Sequence, residues 1–517
     1  TAENAHPHVD CTGDIAVVHN GIIDNAAALR AELAAAGHRF DTEVDTEVIS
    51  HLLEHQLGTA PRTSQAVVAA IASVATRLEG SWALAVVVRG RSEITVSSHR
   101  SPLLLATGND TVMAASDLLG LAPGLREVRE IVDGAIVSLG RETRWYDQQG
   151  RPVPPPRPLP VVQRPRVVPL QGAEDFTGRE ITEQPAVAQH LIDTVTGRLA
   201  HGRLLDDLGV PTPTRIRLVA CGSSAYAAQV IARMVTTLAK IPATVSTASE
   251  PGYEPDIPGT LTIAFSQSGE TADILTALDL SQTRCLAVTN TPHSTLARRA
   301  DAVLDLGCGP ERGVAATKSF TAQVIAGAAL ALALAARTRT VAPRILADLE
   351  RTLAEIPSRL AATDALAGPA AAEIAPQLAD QPGWIFVSRG AGLPYAYEGA
   401  LKLKELAYRW TEALPAGELK HGPIALLQSG TPAVVIEAEP RTRLATNTAE
   451  MATRGARILT VGPGPNAILP TFAPPTEPPW GPLEAVVALQ HLARHVTRNL
   501  GHNVDRPRNL AKSVTVE

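Results

Sequence analysis

The chain has 517 residues, of which 45% are hydrophobic and 19% charged, so it is long enough to bury the cores of about three domains and is not disordered as a whole. A net charge of −6 and an aromatic content of 3% argue against a nucleic-acid partner, because surfaces that bind bases need basic and aromatic side chains. Four cysteines without a CxxC pair exclude a disulfide framework and a zinc-ribbon site, and they indicate a reducing cytoplasm.

Residues 14–140 alternate strand-like and helix-like patterns, which predicts an α+β sandwich. The apolar run 15–18 predicts a strand that ends at His19-Asn20-Gly21, which we interpret as a turn. The remaining patterns of this region predict helices at 26–36, 46–57 and 64–78, and strands at 82–88 and 93–97. We assign residues 1–150 to this first domain.

Polar groups in this domain are candidates for ligand binding. The amide of Asn20 beside the N–H of Gly21 can form an oxyanion hole. Asp45 precedes the predicted helix 46–57, where it either contacts a ligand or caps the helix. His6-Pro7-His8 is a weak metal signal, because the proline separates the two rings and no third ligand is evident. The sequence therefore predicts no metal site.

Residues 151–170 are dense in proline, as in Arg151-Pro152-Val153-Pro154-Pro155-Pro156-Arg157-Pro158. Proline at this density prevents helix formation and favours an extended, semi-rigid chain. We therefore predict a linker at 151–180 between the first domain and the rest of the chain.

Beyond the linker, an apolar strand followed by a turn of small residues and a long helix occurs at 217–224 and again at 384–392. Each is followed by a further strand–turn–helix pattern, at 261–275 and from 432 onward. This alternation predicts doubly wound parallel α/β domains, which we place at 181–345 and 346–505, with a tail at 506–517. The apolar run 324–335 is too short to span a bilayer and predicts a buried helix, so we expect no membrane partner.

The strongest chemical signal is Ser266-Gln267-Ser268-Gly269-Glu270-Thr271, where a predicted strand ends and a predicted helix begins. Hydroxyls and backbone N–H groups at a helix N-terminus suit a phosphate monoester, although the same residues are ordinary in a helix cap. Ser223 and Ser224 form a second hydroxyl-rich turn, which in a doubly wound sheet lies on the same carboxyl edge. The two turns together predict a phosphorylated ligand.

Three further groups of ionisable residues are candidates, each with a plain structural alternative. Lys402 and Glu405 share a helix face, where they either shuttle protons or form a surface ion pair, while Lys404 faces elsewhere. His421 lies between glycines and is either an acid–base group or an exposed loop residue. Lys512 either forms a Schiff base with a ketose carbonyl or belongs to a frayed tail.

These stretches together resemble the family of isomerising glutamine–fructose-6-phosphate aminotransferases, also called glucosamine-6-phosphate synthases. The resemblance covers nearly the whole chain and keeps the order of the family's motifs. It includes the motifs above and these further stretches: Asn4-Ala5-His6-Pro7-His8-Val9, Asp45-Thr46-Glu47-Val48-Ile49, Ala115-Ser116-Asp117, Glu183-Gln184-Pro185, Gly313-Val314-Ala315-Ala316-Thr317-Lys318 and the segment 507–517.

The resemblance implies an N-terminal-nucleophile glutaminase domain followed by two sugar isomerase (SIS) domains. Such an enzyme releases ammonia from glutamine, passes it through an internal channel, and uses it to convert fructose 6-phosphate to glucosamine 6-phosphate, the first step toward UDP-N-acetylglucosamine. It uses no external cofactor or metal. Asn20 and Gly21 would match the oxyanion hole, and Asp45 the contact to the amino group of glutamine.

In the SIS half, the resemblance assigns a role to each candidate. Lys512 would match the Schiff-base lysine, Glu405 the carrier of a proton between carbons 1 and 2, Lys402 its helper, and His421 the ring-opening histidine that reaches into a partner subunit. A homodimer is therefore implied. The remaining residues would match substrate contacts: Ser224, Ser266, Gln267, Ser268 and Thr271 to the phosphate, Ser223 to the sugar, and the backbones of Val314 and Ala511 to the sugar.

The sequence also departs from the family. The family's glutaminase begins with a cysteine nucleophile, which Cys11 cannot replace because it is internal, nor Cys221 because it lies in the SIS half. We therefore expect the 517 residues to be a fragment. Two other functions remain open: a SIS-type protein that binds sugar phosphates without turnover, and a deglycase-like SIS paralogue. The set Glu405, His421 and Lys512 disfavours the first, and Asn20, Gly21 and Asp45 in their order disfavour the second.

Overall fold

The computed structural model describes residues 4–59, 61–116, 121, 125, 127–159, 172–199, 202–251, 255–438, 441–464, 466–474 and 476–512. The chain forms two compact units. The first is Thr1–Arg166 together with Glu270–Ala272 and Val514–Glu517, and the second is Val167–Gly269 together with Asp273–Ser513.

The first unit combines antiparallel sheets with helices. Its elements in chain order are β1 (His8–Val9), β2 (Ile15–Ile23), α1 (Ala26–Ala35), α2 (Asp45–Leu57), α3 (Ser64–Ala75), β3 (Gly80–Val88), β4 (Ile94–His99), β5 (Leu104–Thr107), β6 (Val112–Ala115), β7 (Glu127–Glu130), β8 (Ile136–Leu139), β9 (Arg144–Tyr146) and β10 (Pro152–Val153). One sheet has the order β1-β2-β3-β4-β8-β9-β10, and a smaller one the order β6-β5-β7. Alternate residues of the larger sheet, such as Val17 and Trp82, pack against the helices, which is the predicted α+β sandwich.

The interpretation of His19-Asn20-Gly21 as a turn is wrong. Strand β2 continues to Ile23, and Gly21 pairs with Trp82 of β3 in the middle of the sheet. Gly21 has a φ of 146°, and a Cβ there would lie 2.0 Å from the carbonyl oxygen of Ser81. The glycine therefore serves the close approach of two strands rather than a chain reversal.

The proline-rich segment begins inside the first unit. Pro152–Val153 forms the edge strand β10, in register with Tyr146 and Trp145 of β9. An edge strand tolerates proline because one side of it needs no backbone donor. The predicted linker therefore contributes to the sheet at its start, and its residues 160–171 lie outside the described part of the chain.

The second unit contains parallel sheets with helices. Its elements are α4 (Phe176–Thr182), α5 (Gln184–Val195), α6 (Arg203–Asp207), β11 (Arg215–Ala220), α7 (Gly222–Met234), β12 (Ala243–Thr247), β13 (Thr260–Ser266), α8 (Ala272–Asp279), β14 (Arg284–Thr289), α9 (Thr295–Arg299), β15 (Ala302–Asp305), α10 (Lys318–Thr338), α11 (Pro343–Ala354), α12 (Ile356–Ile374), β16 (Gly383–Ser388), α13 (Leu393–Ala407), β17 (Trp410–Pro415), β18 (Pro432–Ile436), α14 (Arg441–Thr453), β19 (Arg457–Gly462), β20 (Leu469–Pro470) and α15 (Ala485–Asn499). The sheets have the orders β12-β11-β13-β14-β15 and β17-β16-β18-β19-β20.

Both parallel sheets are covered on each face, which confirms the prediction of doubly wound α/β domains. In the first sheet, Leu218 and Phe265 share a core with α7 and α10, whereas Val219 and Ala264 share another with α8 and α9. Neighbouring residues of one strand point to opposite faces, so the continuous apolar runs follow directly from this burial.

Helix α10 confirms the prediction of a buried helix around residues 324–335. It is long and apolar enough to cross a membrane by length and composition, but 94% of its apolar window is buried inside the protein. Gly327 lets α10 approach α7 closely, since a Cβ there would lie 2.1 Å from a side-chain carbon of Ile231. The apolar length of this helix is therefore explained by its place in the core.

Candidate active site

The two serine-rich turns lie at the same edge of one parallel sheet. Strands β11 and β13 are direct parallel neighbours, with Val219 in register with Ala264. Ser223 follows β11 in the first turn of α7, and Ser266 is the last residue of β13. Parallel neighbours end at the same edge, so the sheet itself brings the two turns together, as expected for ligand binding in a doubly wound fold.

Gly269 fixes the shape of the turn after β13. It has a φ of +68°, and a Cβ at this position would lie 1.9 Å from the Oγ of Ser294. Its N–H donates to the Oγ of Ser266 at 3.0 Å, and its carbonyl accepts from the N–H of Leu296 at 3.0 Å. Gln267 and Ser268 are half-buried in this turn. The turn presents hydroxyl and N–H groups before α8, a composition that suits an anion.

A buried row of ionisable groups connects the turn after β11 with helix α13. The hydroxyl of Ser223 donates to the Oε1 of Glu398 at 3.1 Å. The Nζ of Lys402 lies 3.5 Å from the same oxygen and donates to the Oε2 of Glu405 at 2.5 Å. Glu398 and Lys402 are buried, and the side chain of Glu405 is 22% exposed. The pair Lys402–Glu405 is therefore a buried ion pair, and Lys404 is exposed.

Burial and mutual charge set the ionisation of this row. Burial, which outweighs the attraction of Lys402, raises the pKa of Glu398 to about 7. Burial opposes charge on Lys402, but Glu398 and Glu405 outweigh it, so its pKa lies above the ordinary value. Glu311 adds to this increase in the pKa of Lys402, so this row is electrostatically coupled to the groups around Glu311. Lys402 therefore remains a cation between two carboxyl groups.

Lys512 lies in a built site rather than in a frayed end. Its Nζ donates to the Oε2 of Glu311 at 2.7 Å and to the carbonyl of Gly313 at 2.8 Å. Glu311 is fully buried and also accepts from backbone and hydroxyl groups of Thr317 and Ser319. Burial opposes ionisation of Glu311, but Lys512 and these donors outweigh it and lower its pKa to about 2. The Nζ of Lys512 therefore faces a carboxylate that is ionised at neutral pH.

Asp505 anchors the C-terminal segment that carries Lys512. Its carboxylate accepts from the N–H groups of Phe176 and Thr177 at 2.9 and 2.8 Å, at the start of α4, and from the hydroxyl of Thr177. Its own carbonyl accepts from the N–H of Val314 at 3.1 Å. A carboxylate at a helix N-terminus is favoured by the helix dipole. The N–H of Val314 is thus already engaged, which leaves its carbonyl for the predicted contact to a sugar.

Glu180 and Glu311 were missed by the sequence analysis. Glu180 on α4 accepts from the N–H groups of Arg312 and Gly313, beside the carbonyl that holds Lys512. Burial, with the charge of Glu311 in second place, raises the pKa of Glu180 to about 7. Neither glutamate belongs to a recognisable motif, and their chemical importance depends on burial, which the sequence pattern does not encode.

The other predicted residues are exposed or half-buried, and one lies outside the described residues. His421 is exposed at the end of a short helical turn, Ala416–His421, and Ala511 is exposed next to Lys512. Ser224 is half-buried, and its Oγ accepts from the Nε2 of Gln323 at 3.0 Å. Thr271 is half-buried and directly precedes α8. Asp117 lies outside the described residues.

In the first unit, Asp45 does not cap α2 as one reading of the sequence expected. The cap is Val44, without a side-chain hydrogen bond, and Asp45 instead accepts from the N–H of Ile23 in β2 at 3.0 Å. Its carboxylate lies 3.7 Å from the Nδ1 of His19. Burial opposes ionisation, but the nearby ring of His19 and the hydrogen bond from Ile23 outweigh it and lower the pKa of Asp45. Asn20, next to His19, is exposed, so this region offers an anion near an exposed amide.

A cavity of about 370 Å³ lies elsewhere in the second unit, between α4, α5 and the segment before α10. Its lining includes Glu180, Glu183, Arg312 and Lys318, but none of the predicted phosphate or Schiff-base residues. The serine turns and the buried ion pairs, rather than this cavity, supply the convergent polar groups that a sugar phosphate needs.

Comparison with known families and proteins assigns both units. A model of the SIS domain matches residues 212–333 and 377–473, and a model of a glutamine amidotransferase domain matches residues 1–123. An isomerising glutamine–fructose-6-phosphate aminotransferase of Halobacterium salinarum is 38% identical over 536 residues, covering 100% of this chain and 87% of the relative. The enzyme of that name from Streptomyces coelicolor is 38% identical over 544 residues, with the same coverage.

A solved structure is similar to the second unit. It is the C-terminal domain of glucosamine-fructose-6-phosphate aminotransferase from Francisella tularensis, 30% identical with a TM-score of 0.61, and the alignment covers 66% of this chain and 100% of that one. The structural likeness extends the sequence match to the fold that carries the serine turns.

Proposed function

The chain belongs to the family of isomerising glutamine–fructose-6-phosphate aminotransferases, and on that premise we propose that it catalyses the conversion of fructose 6-phosphate and glutamine to glucosamine 6-phosphate and glutamate. The observation that carries the proposal is the buried row Ser223–Glu398–Lys402–Glu405 in the same unit as the Lys512–Glu311 pair. A protein that only binds sugar phosphates has no need to bury these charges, whose desolvation costs several kcal/mol per ion.

The phosphate of the substrate binds at the serine turns. Ser224, Ser266, Gln267, Ser268 and Thr271 supply hydroxyl, amide and N–H donors at the carboxyl edge of the sheet. A dianion held there leaves the rest of the sugar to extend toward Ser223 and the backbones of Val314 and Ala511. This binding is the part of the proposal that a non-catalytic SIS protein would share.

Lys512 then reacts with the open-chain carbonyl of the ketose. Its ammonium must first lose a proton, after which the amine adds to carbon 2 and water leaves to give an imine. Glu311 holds the resting ammonium in place, and the carbonyl of Gly313 directs it. Ammonia from glutamine displaces the lysine from the imine carbon. His421 supplies and removes the protons that open the sugar ring.

Glu405 transfers a proton from carbon 1 to carbon 2 and so completes the isomerisation. A general base must accept a proton, and Lys402 holds the carboxyl group of Glu405 in place by donating a hydrogen bond to its Oε2. Lys402 therefore acts as the helper of Glu405, and Glu398 with Ser223 holds Lys402 from its other side. In the first unit, we assign the oxyanion hole to Asn20 and Gly21, and the amino group of glutamine to Asp45.

The test is turnover of fructose 6-phosphate by the purified 517-residue chain with an ammonium salt as nitrogen donor, because ammonium bypasses glutamine hydrolysis. We expect glucosamine 6-phosphate in a mass-spectrometric assay, and its loss in Lys512→Ala with binding of inorganic phosphate retained. Phosphate binding without product in the unmodified chain would instead favour a non-catalytic SIS protein. Release of amino acid from a fructosyl-amino acid would favour a deglycase-like paralogue.

We also infer a homodimer. His421 is exposed, and in the family resemblance this histidine serves the partner's active site. Trp410 on the edge strand β17 is 85% exposed and Leu426 is 61% exposed, and a partner subunit would cover such large apolar side chains. Sedimentation of the purified chain tests this: a monomer at micromolar concentration would contradict it.

The proposal also includes the cellular location of the protein, the later use of its product and the limits of its domains. The four cysteines are free, which suits a reducing cytoplasm. The product, an amino sugar phosphate, would supply acetylation and uridylyl transfer toward UDP-N-acetylglucosamine. We keep the predicted limits of 1–150 for the glutaminase part, 181–345 and 346–505 for the SIS domains, and 506–517 for the tail that carries Lys512.

A further inference from the structure

The first unit contains a cluster of potential metal ligands that the sequence analysis did not predict. It consists of Cys11 in the loop between β1 and β2, His38 after α1, and His51 and Glu54 on α2. One ligand atom from each residue lies within 4.8 Å of all the others. We refer to these four residues as the Cys–His–His–Glu cluster.

The distances within the cluster match the edges of a tetrahedral zinc site. The Sγ of Cys11 lies 3.5 Å from the Nδ1 of His51 and 3.7 Å from the Nδ1 of His38. The Oε2 of Glu54 lies 3.1 and 3.0 Å from the same two nitrogens. Bond lengths of about 2.3 Å to sulfur and about 2.05 Å to nitrogen or oxygen give tetrahedral edges of about 3.6 and 3.3 Å. These four distances fit one ion bound between the residues, and the other two pairs of ligand atoms lie within 4.8 Å.

The surroundings also orient the ligands. The other ring nitrogen of His51 lies 3.7 Å from the carboxylate of Glu47, and that of His38 lies 3.3 Å from the Nδ1 of His55. A hydrogen bond to the second nitrogen fixes the ring of a metal-binding histidine. His38 has one to His55, whereas the 3.7 Å contact between His51 and Glu47 is too long for a hydrogen bond. His51 is fully buried, whereas Cys11 is exposed, so an ion can enter from solvent.

The competing explanation is a hydrogen-bond network centred on Glu54. Its Oε2 faces both Nδ1 atoms and also accepts from the N–H of Cys11 at 3.2 Å. That network accounts for the carboxylate, whereas the Sγ of Cys11 has, beside the two rings, a hydrogen bond from the N–H of Arg39 at 3.4 Å, and sulfur is a weak hydrogen-bond partner. A thiolate, two imidazoles and a carboxylate are together the ligand types that zinc selects.

We propose that the Cys–His–His–Glu cluster binds one divalent zinc-like ion. Four protein ligands complete a tetrahedral shell, so the site is structural and leaves no position for a substrate. The ion would tie the loop before β2 and the segment after α1 to helix α2. That helix begins with Asp45, which holds β2 through Ile23, so the ion would stabilise the elements that present Asn20 and Asp45.

The sequence spacing explains why no motif predicted this site. Cys11 and His38 are 27 positions apart, and only the pair His51 and Glu54 is close in sequence, at i and i+3 on one helix face. Zinc motifs are recognised by short spacings between ligands, and here the fold of three separate segments supplies the proximity.

The test is titration of the metal-stripped 517-residue chain with Co²⁺ alone, followed by displacement with Zn²⁺. We expect one equivalent to bind with the visible absorption of tetrahedral Co²⁺ and a thiolate charge-transfer band, both removed by Zn²⁺. Zn²⁺ at 100 times its dissociation constant should raise the folding equilibrium constant about 100-fold, seen as a higher melting temperature.

Two variants and two controls decide the assignment. Cys11→Ser changes an exposed side chain, so it should fold, lose the charge-transfer band and bind Co²⁺ at least tenfold more weakly. His51→Gln should show the same loss of affinity. The controls Cys221→Ser and His99→Gln should bind as the unmodified chain does. Absence of a thiolate band in the unmodified chain, or equal Co²⁺ affinity in folded Cys11→Ser, would overturn the proposal.

Discussion

Glu398→Gln tests the ionisation of the buried row through stability. Glu398 has an ordinary pKa of 4.5 when unfolded, and burial raises its pKa to about 7 in the folded chain. The folded state therefore binds the proton more tightly, and stability is lost as the pH rises from 4.5 to above 7. A difference of about 2.5 pKa units corresponds to about 3 kcal/mol at about 1.36 kcal/mol per unit. Glutamine cannot ionise but still accepts the hydrogen bond from Ser223.

The assay is urea unfolding of both proteins at pH 5 and pH 8, followed by the signal of the SIS unit. Between these pH values, the unmodified chain should lose about 2.5 kcal/mol more unfolding free energy than Glu398→Gln, because pH 5 already lies above the unfolded pKa of 4.5. Glu373→Gln is the matched control, because Glu373 is exposed on α12 and should keep the pH dependence of the unmodified chain. If Glu398→Gln and Glu373→Gln show the same pH dependence, Glu398 does not ionise over this range and the reasoning is refuted.

Two further substitutions test the geometry of the substrate site. Gly269→Ala must place a methyl group 1.9 Å from the Oγ of Ser294 at a positive φ, so phosphate affinity measured by calorimetry should fall at least tenfold. The control Gly383→Ala meets no atom within 4 Å and should bind normally; equal affinities in the two variants would contradict the role of the turn. Asp505→Ala removes the anchor of the C-terminal segment, so kcat with ammonium should fall at least tenfold while phosphate affinity stays within twofold. Arg506→Ala, an exposed neighbour, is its control, and full activity in Asp505→Ala would show that the anchor does not position the reactive lysine.

The periodicity of apolar residues predicted most of the fold because each apolar pattern corresponds to one way of burying a helix or strand. Continuous apolar runs such as 218–220 became strands buried on both faces, and the run 324–335 became a core helix. The interpretation of Gly21 as a turn residue was wrong because the reason for a glycine there lies in a neighbouring strand, not in the local pattern. A glycine after a short apolar run resembles a turn. In the structure, a Cβ on Gly21 would lie 2.0 Å from the carbonyl oxygen of Ser81 in β3, which explains why this strand needs glycine.

The sequence predicted those residues of the candidate site that lie within a short motif of chemically reactive side chains. Lys402 and Glu405 were expected on one helix face from their spacing, and they form an ion pair. Their burial, and the buried partners Glu398 and Glu311, depend on how α13 and the segment before α10 pack. The Cys–His–His–Glu cluster was missed for the same reason, since its members come from three segments that meet only in the folded unit.

The central claim is that the amine of Lys512 forms an imine with the open-chain ketose. Incubation of the chain with fructose 6-phosphate, reduction with borohydride, and peptide mass mapping test this directly, because hydride converts the imine to a stable secondary amine. The account predicts one hexitol-phosphate adduct per chain on Lys512, and its absence in Lys512→Ala. An adduct on a different lysine, or none while product still forms, would contradict the account.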